Sequence, residues 1–535
     1  MTTKKQEQNF VFWSKPVKLL YNILCMDFEE KRKRQAIRVI VAEIGMVLAI
    51  VAVVVVSTLA AMGFMISGNG GIEQSGLMQL HTLPTGASVK IDGNTIFART
   101  NLSRTLSAGE HNLEIYRENY DTWQKVIKIK SGVLVRIYYP RLFLQNRVTE
   151  SVRKLSTTQD LEFYAPSTNR NYILYALNDA PEWQLLDIRG DEVKATPLDL
   201  SGILPGMVEE VPAKRTSQTI ETHTYQFRGK VEDIKWSANE ESVLVKASYD
   251  GKTEWVLVRL KDPVRSVNLT KTFGLSNTAE LRMIDNSANQ LYLLENRQLK
   301  RINANDGVMS RVLLDNVLSF ESFDTRVIYV AEVASDKKRT VGVYRDDEKS
   351  GTVLAEIPED EKVQVALSSY YGDDYMVWTV GAKMRIMHGR MPSYDENRVE
   401  LPADLQPLVE GDITLSEAPD RLMVSPGNEF VVAQKGAKLM VTDLEMGDLH
   451  EYEAPSSKIN WFDASMLYTV KDQQILVWDF DGTNRRNLAE SAKTVGNKSP
   501  VVDDNPVVLA NNNRWLYYLV TQDGNTYLTR EKIRE

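Results

Sequence analysis

Apolar and polar positions follow three patterns along this chain. From Ile44 to Ile66 run twenty-three residues without a charge, shortly after Lys31, Arg32, Lys33, Arg34 and Arg38. At about 1.5 Å per residue, a helix of that length crosses a hydrocarbon layer of roughly 30 Å. The expectation is a transmembrane helix within 39–67, with the five basic residues as its anchoring flank and 68–76 as a linker. Residues 77–147 instead alternate with period two in short runs separated by turn residues, which predicts strands. From 150 to 535 an apolar strand, a turn, a second alternating strand and a third recur in sequence. Eight such copies, among them 161–191, 232–260, 363–389 and 507–530, start on average about 49 residues apart. That period matches the blades of a radial β-propeller, in which sheets stack because one blade cannot bury both its faces alone. The fold class expected is one N-terminal transmembrane helix followed by an all-β region: a β-sandwich, then a propeller of seven or eight blades. Segment 192–230, rich in Pro, Thr and Glu, reads as an inserted loop.

Charge orients the span. Residues 1–38 carry nine Lys/Arg against four Asp/Glu, whereas 67–535 carry 55 against 67. Basic residues beside a span stay cytoplasmic, so the large C-terminal part is expected outside and the N-terminal tail inside. Thr58-Leu59-Ala60 could pass for a signal cleavage site, but nearly forty residues precede the apolar run, and that run exceeds a signal h-region. Residues 10–30 place Phe10, Phe12, Trp13, Leu19 and Leu20 beside Lys15 and Lys18, a pattern suited to lying on the inner leaflet. The single cysteine, Cys25, falls in the tail, so the exported part must be held by burial without disulfides.

Within 77–147 the run PTGASVKIDG is followed by a polar loop and by SAGEHNLEIYRENYDTW. These residues resemble the PEGA domain, with Thr85 where that family's name-giving turn has Glu and Asn119-Tyr120 where Gly-Tyr is usual. The resemblance implies a small β module common in bacterial envelope and surface proteins, with no catalytic residues. Pro84, Gly86, Ala87, Asp92, Gly93 and Gly109 are accordingly read as turn residues, and Asn119 must supply a backbone that glycine usually provides. In the repeats, IKWSANEESVLV, MVSPGNEFVVA and LVWDFDGTNRRNL resemble the WD40-like repeats of TolB-type propellers.

No catalytic constellation stands out. The five histidines (His81, His111, His223, His388 and His450) have no metal-ligand spacing. Asp479 to Asn484 imitates part of a calcium loop but lacks its twelfth-position Glu, and is read as a blade-edge turn. Asp373-Asp374 and Asp503-Asp504 are read as solvated turns. There is no phosphate-binding loop, and the acidic exported part disfavours nucleic acid. No cofactor or metal is expected. Tyr370, Tyr371, Tyr375 and Trp515 are candidate rim aromatics for a protein or glycan. The functional expectation is a membrane-anchored extracytoplasmic binding or scaffold protein of a bacterial envelope. Its partners would be the lipid bilayer and an extracytoplasmic protein or cell-wall glycan. An exported glycan or peptide hydrolase or lyase, and a sensor acting through a cytoplasmic partner, are the alternatives.

Overall fold

A computed structural model of the chain describes residues 37–59, 64–66, 72–156, 161–177, 182–210, 224–285, 287, 289–333, 337–346, 348–397, 400–472, 474–488, 507–522 and 525–535. Lys31 to Arg34, Cys25, the segment 10–30, His223 and Asp503-Asp504 lie outside these residues. One helix, Ile37–Leu59, is long and apolar enough to cross a membrane, and its side chains are exposed. Its limits differ from the uncharged run: it includes Arg38 and Glu43 and stops at Leu59, while Phe64–Ile66 is a strand paired with Ile72–Gln74. Absence of charge does not fix helix ends; here strand pairing takes the last three residues of the run. From Val39 the helix extends twenty-one residues, about 31 Å, which leaves Arg38 at one end.

By compactness the described chain forms two units, one drawn from 1–81, 101–113 and 126–138, the other from 82–100, 114–125 and 139–535. In the first, strand Ile72–Leu80 pairs antiparallel with Leu102–Ser107 and parallel with Leu134–Ile137. The expected linker 68–76 is therefore strand from Ile72 onward, and the expected sandwich contains one parallel pairing. That pairing is possible because Leu134–Ile137 follows 72–80 only after several intervening strands, not after a hairpin. Met78, Leu80, Leu106, Val135 and Ile137 are buried in this unit.

The second unit contains eight four-stranded antiparallel sheets, one of them with a short fifth strand. We number them as blades I (161–198), II (230–268), III (280–309), IV (317–358), V (363–414), VI (421–453), VII (460–487) and VIII (508–532). Blade VIII takes its fourth strand from Thr149–Ser156, which pairs with Asn525–Lys532, so the two ends of the propeller share one sheet. The second strand of most blades is buried on both faces, as in YILYAL and QLYLLE. Near-continuous apolar strands are what sheets covered on both sides require.

Eight apolar clusters sit at the eight blade interfaces. Leu174 packs with Val243, Leu257 with Leu293, Tyr292 with Phe320, and Val343 with Met376. Val377 joins Val431, Phe430 joins Phe480, Tyr468 joins Leu516, and Ile173 joins Trp515. The ring is thereby closed. The expected insertion 192–230 is narrower: Lys194–Leu198 is the edge strand of blade I, where Pro197 is tolerated, and a separate hairpin pairs Met207–Glu210 with Thr224–Phe227.

Candidate functional site

Two clusters of buried charge lie in the propeller unit, and both combine residues far apart in the chain. The first joins the segment at Trp123 to blade VII. Trp123 Nε1 donates to Asp479 Oδ2 at 2.8 Å, Asn484 Nδ2 donates to the same oxygen at 2.9 Å, and Lys125 Nζ lies 2.7 Å from Asp481. Lys125 also sits 4.3 Å from the ring centre of Tyr139 and 4.5 Å from that of Phe480, a cation held by aromatic faces. Burial pushes the Asp479 carboxyl up to about 6, against the pull of Lys125 and with the push of Asp481. Burial lowers Lys125, but Tyr139, Asp481 and Asp479 outweigh it and the amine is raised. Asp479 to Gly482 forms a turn closed by Gly482 N–H on the Asp479 carbonyl, and its carboxylates serve this junction. Nearby, Arg147 Nε donates to the fully buried Glu531 at 2.5 Å, and Tyr518 donates to its other oxygen at 3.2 Å.

The second cluster lies at the first strands and first turns of blades VI, VII, VIII and I. There a cavity of about 290 Å³ is lined by Arg170, Asp463, Trp461, Tyr468, Pro426 and the stretch 507–509, among others. The size falls near the lower end of small-ligand sites. Asp463 is its one lining carboxylate among the described residues. Arg141 Nε donates to Asp463 Oδ2 at 2.7 Å, and the backbone N–H groups of Ser465 and Met466 donate to Oδ1 at 2.9 Å each. Burial alone would raise this carboxyl; the Arg141 charge and these hydrogen bonds prevail and hold it at about 2. Arg534, buried beside Phe143, is lowered to about 9 by burial first and by repulsion from Arg141 second. Arg170 is lowered for the same two reasons, partly offset by Asp463.

Arg170 reaches this place through a turn shared by several blades. The N–H of Arg170, Glu240 and Asn428 donates to the carbonyl of Ser167, Ser237 and Ser425, three residues before each. All three later residues have positive φ, 60°, 55° and 60°. The left-handed region is unfavourable for a long side chain and is held here by its surroundings. Ser167 Oγ accepts from Asn171 and Tyr172, and Ser425 Oγ from Glu429 and Phe430, which fixes the turn. The repeat motifs IKWSANEESVLV and MVSPGNEFVVA contain this turn in blades II and VI, but Arg141, Arg170, Asp463 and Arg534 do not stand out from the sequence. The available signal was Arg170 at the position where blade VI has Asn428.

The turn residues singled out from sequence lie in turns or beside them. Asp92 and Gly93 have φ of 51° and 79° and close the hairpin Ile91↔Asn94, as a type I′ turn requires. Gly86, Gly109 and Asn119 also have positive φ. Ala87 is buried and its N–H donates to Thr100, while the Pro84 carbonyl accepts from Thr82. The rim aromatics do not come together as one patch. Tyr371 is exposed, with Tyr370 edge-on at 4.6 Å. Tyr375 is buried against blade VI and stacked on His388, and Trp515 is buried against blade I beneath Arg530. Of the four aromatics expected on a rim only Tyr371 is exposed; Tyr370 is half-buried against the core between blades V and VI, and strand direction turns the other two inward. Asp373 pairs with His388 at 3.2 Å, and Asp374 is buried against Arg326.

The chain is thus of the all-β class with a β-propeller and one N-terminal apolar helix. Residues 75–141 match the PEGA domain family. No curated protein sequence matches the chain. Solved structures similar to it include the β-propeller domain of Myceliophteria thermophila Cps50 (Swd1), 11% identical over 64% of this chain and 98% of that one, with a TM-score of 0.35. The Dos1 propeller is 10% identical over 71% of this chain and 94% of that one, with a TM-score of 0.39. An oligogalacturonate lyase in complex with manganese is 11% identical over 56% and 88%, with a TM-score of 0.34.

Proposed function

We propose that this chain is a membrane-anchored binding protein of the bacterial envelope that presents its propeller outside the membrane to a protein or cell-wall partner. The observation that carries the reading is the junction at Trp123, Lys125 and Arg147. Trp123 and Lys125 of the PEGA-matching segment bind the buried carboxylates of Asp479 and Asp481 in blade VII, and Arg147, just after that segment, pairs with the buried Glu531 of blade VIII. The apolar helix would supply the tether, and the basic residues before it favour a cytoplasmic tail. An exported hydrolase is the second reading. Against it stands the cavity at the first strands, where Asp463, the one lining carboxylate among the described residues, is committed to Arg141, whereas glycoside hydrolysis by the usual route needs two carboxyl groups facing one bond.

The test pairs fractionation with turnover. The full chain should sediment with membranes and resist salt extraction, and the same chain lacking 37–59 should be released. Oligogalacturonates and unstructured peptides incubated with the purified full chain should be recovered intact. Steady product formation abolished by substitution at the propeller cavity would replace binding with catalysis.

A further inference from the structure

Around the propeller cavity, the described residues carry more positive charge than they neutralise. Arg141, Arg170 and Arg534 act on one another and on Asp463, as their mutual electrostatic effects record. Among the described residues, one carboxylate, Asp463, thus acts on three guanidinium groups. Arg141 has taken its Oδ2, and backbone donors have taken Oδ1. Neither Arg170 nor Arg534 forms an ion pair among the described residues. Arg534 spends Nε and Nη1 on the carbonyls of Leu142 and Asn513, while its Nη2 is buried with no acceptor among the described residues. Arg170 Nη1 is likewise buried without an acceptor there, and Arg170 lines the cavity directly.

Unneutralised buried charge is costly, and a guanidinium fork left without acceptors matches the planar, two-oxygen face of an oxyanion. We propose that the cavity at the first strands of blades VI, VII, VIII and I binds an oxyanion, a carboxylate or phosphate group, through Arg170, with Arg534 adding charge behind it. The apolar side of the same cavity, Trp461, Tyr468 and Pro426, would then cover the body of the molecule that carries the anion. This rests on the binding reading above and deepens it by naming the chemistry of the ligand. It has a separate failure: the site could be absent while the propeller still binds a partner elsewhere.

The experiment uses the full chain in detergent, titrated with sodium phosphate and, separately, sodium acetate, against sodium chloride at equal ionic strength. Binding is read from the shift in melting temperature and from broadening of the phosphate ³¹P resonance. One of the two anions should raise the melting temperature saturably where chloride does not, and the responding anion assigns the source. Arg170→Gln removes the fork without removing any side-chain hydrogen bond to the described residues, and should weaken that binding at least tenfold. Thr168→Tyr, at an exposed lining position, should block the cavity and do the same with all arginines in place. Equal shifts with phosphate, acetate and chloride, or titrations unchanged in both variants, would overturn the proposal.

Discussion

Arg141→Met isolates the ion pair that ties the end of the PEGA-matching segment to blade VII. The pair is nearly dry, with side-chain exposures of 9% and 3%, and its contact distance is 2.7 Å. Breaking a buried pair by removing one partner costs about 3–5 kcal/mol, because the other charge is left behind. Arg170 and Arg534 still act on Asp463, so the lower end, about 3 kcal/mol at pH 7, is expected. The pH dependence supplies a second, independent figure. Asp463 has a folded value of about 2 against an ordinary 3.8. A carboxyl depressed in the folded state adds stability above its unfolded value and loses it as pH falls through the folded value. That difference is worth about 2.5 kcal/mol at neutral pH, with roughly half remaining at pH 3. The assay is urea unfolding of the full chain in detergent, followed by tryptophan fluorescence at pH 7, 5 and 3. The deficit of Arg141→Met should shrink toward acid, and Asp463→Asn added to it should restore part of the loss. A deficit below 1 kcal/mol, or one that stays constant from pH 7 to 3, would refute the assignment of this pair.

Three further outcomes follow from the same packing. Asp479, raised to about 6, holds its proton in the folded state where the unfolded chain has lost it, so its contribution to stability falls as pH rises from about 4 to 6. Asp479→Asn should remove that fall, gaining on the parent by about 3 kcal/mol between pH 4 and 7 in urea midpoints measured at each pH. Gly482 has φ of 84°, and a Cβ there would meet the Tyr452 ring at 2.8 Å; Gly482→Ala should cost about 1–3 kcal/mol in thermal unfolding. Deleting 149–156 strips blade VIII of its edge strand and leaves Asn525–Lys532 unpaired on one side. The shortened chain should unfold earlier and self-associate in light scattering, as exposed strand edges do.

Much of the architecture was legible in the sequence because of how propellers are built. Each blade repeats the same demand, an apolar second strand between covered faces, and QLYLLE or FVVAQK announces it without knowledge of any partner. The PEGA-like turns were legible for the same local reason: Asp92-Gly93 requires only its own backbone. The closure by Thr149–Ser156 was not, since TESVRKLS has little apolar character and finds its pairing across the whole length of the ring. Tyr375 and Trp515 were misplaced because alternation shows that a strand has two faces but not which neighbour covers each. The cavity was hidden most completely. Its charges come from positions 141, 170, 463 and 534, and only ring closure brings them together.

Display of the propeller outside the membrane is tested most directly by labelling a single cysteine from one side. Cys25 is the only cysteine in the chain, so Cys25→Ser gives a thiol-free background, and Tyr371→Cys adds a thiol at an exposed turn of blade V. Spheroplasts producing this variant are treated with a membrane-impermeant maleimide before and after lysis. Full labelling before lysis is the predicted result. Labelling that appears only after lysis would place the propeller in the cytoplasm and contradict the assignment.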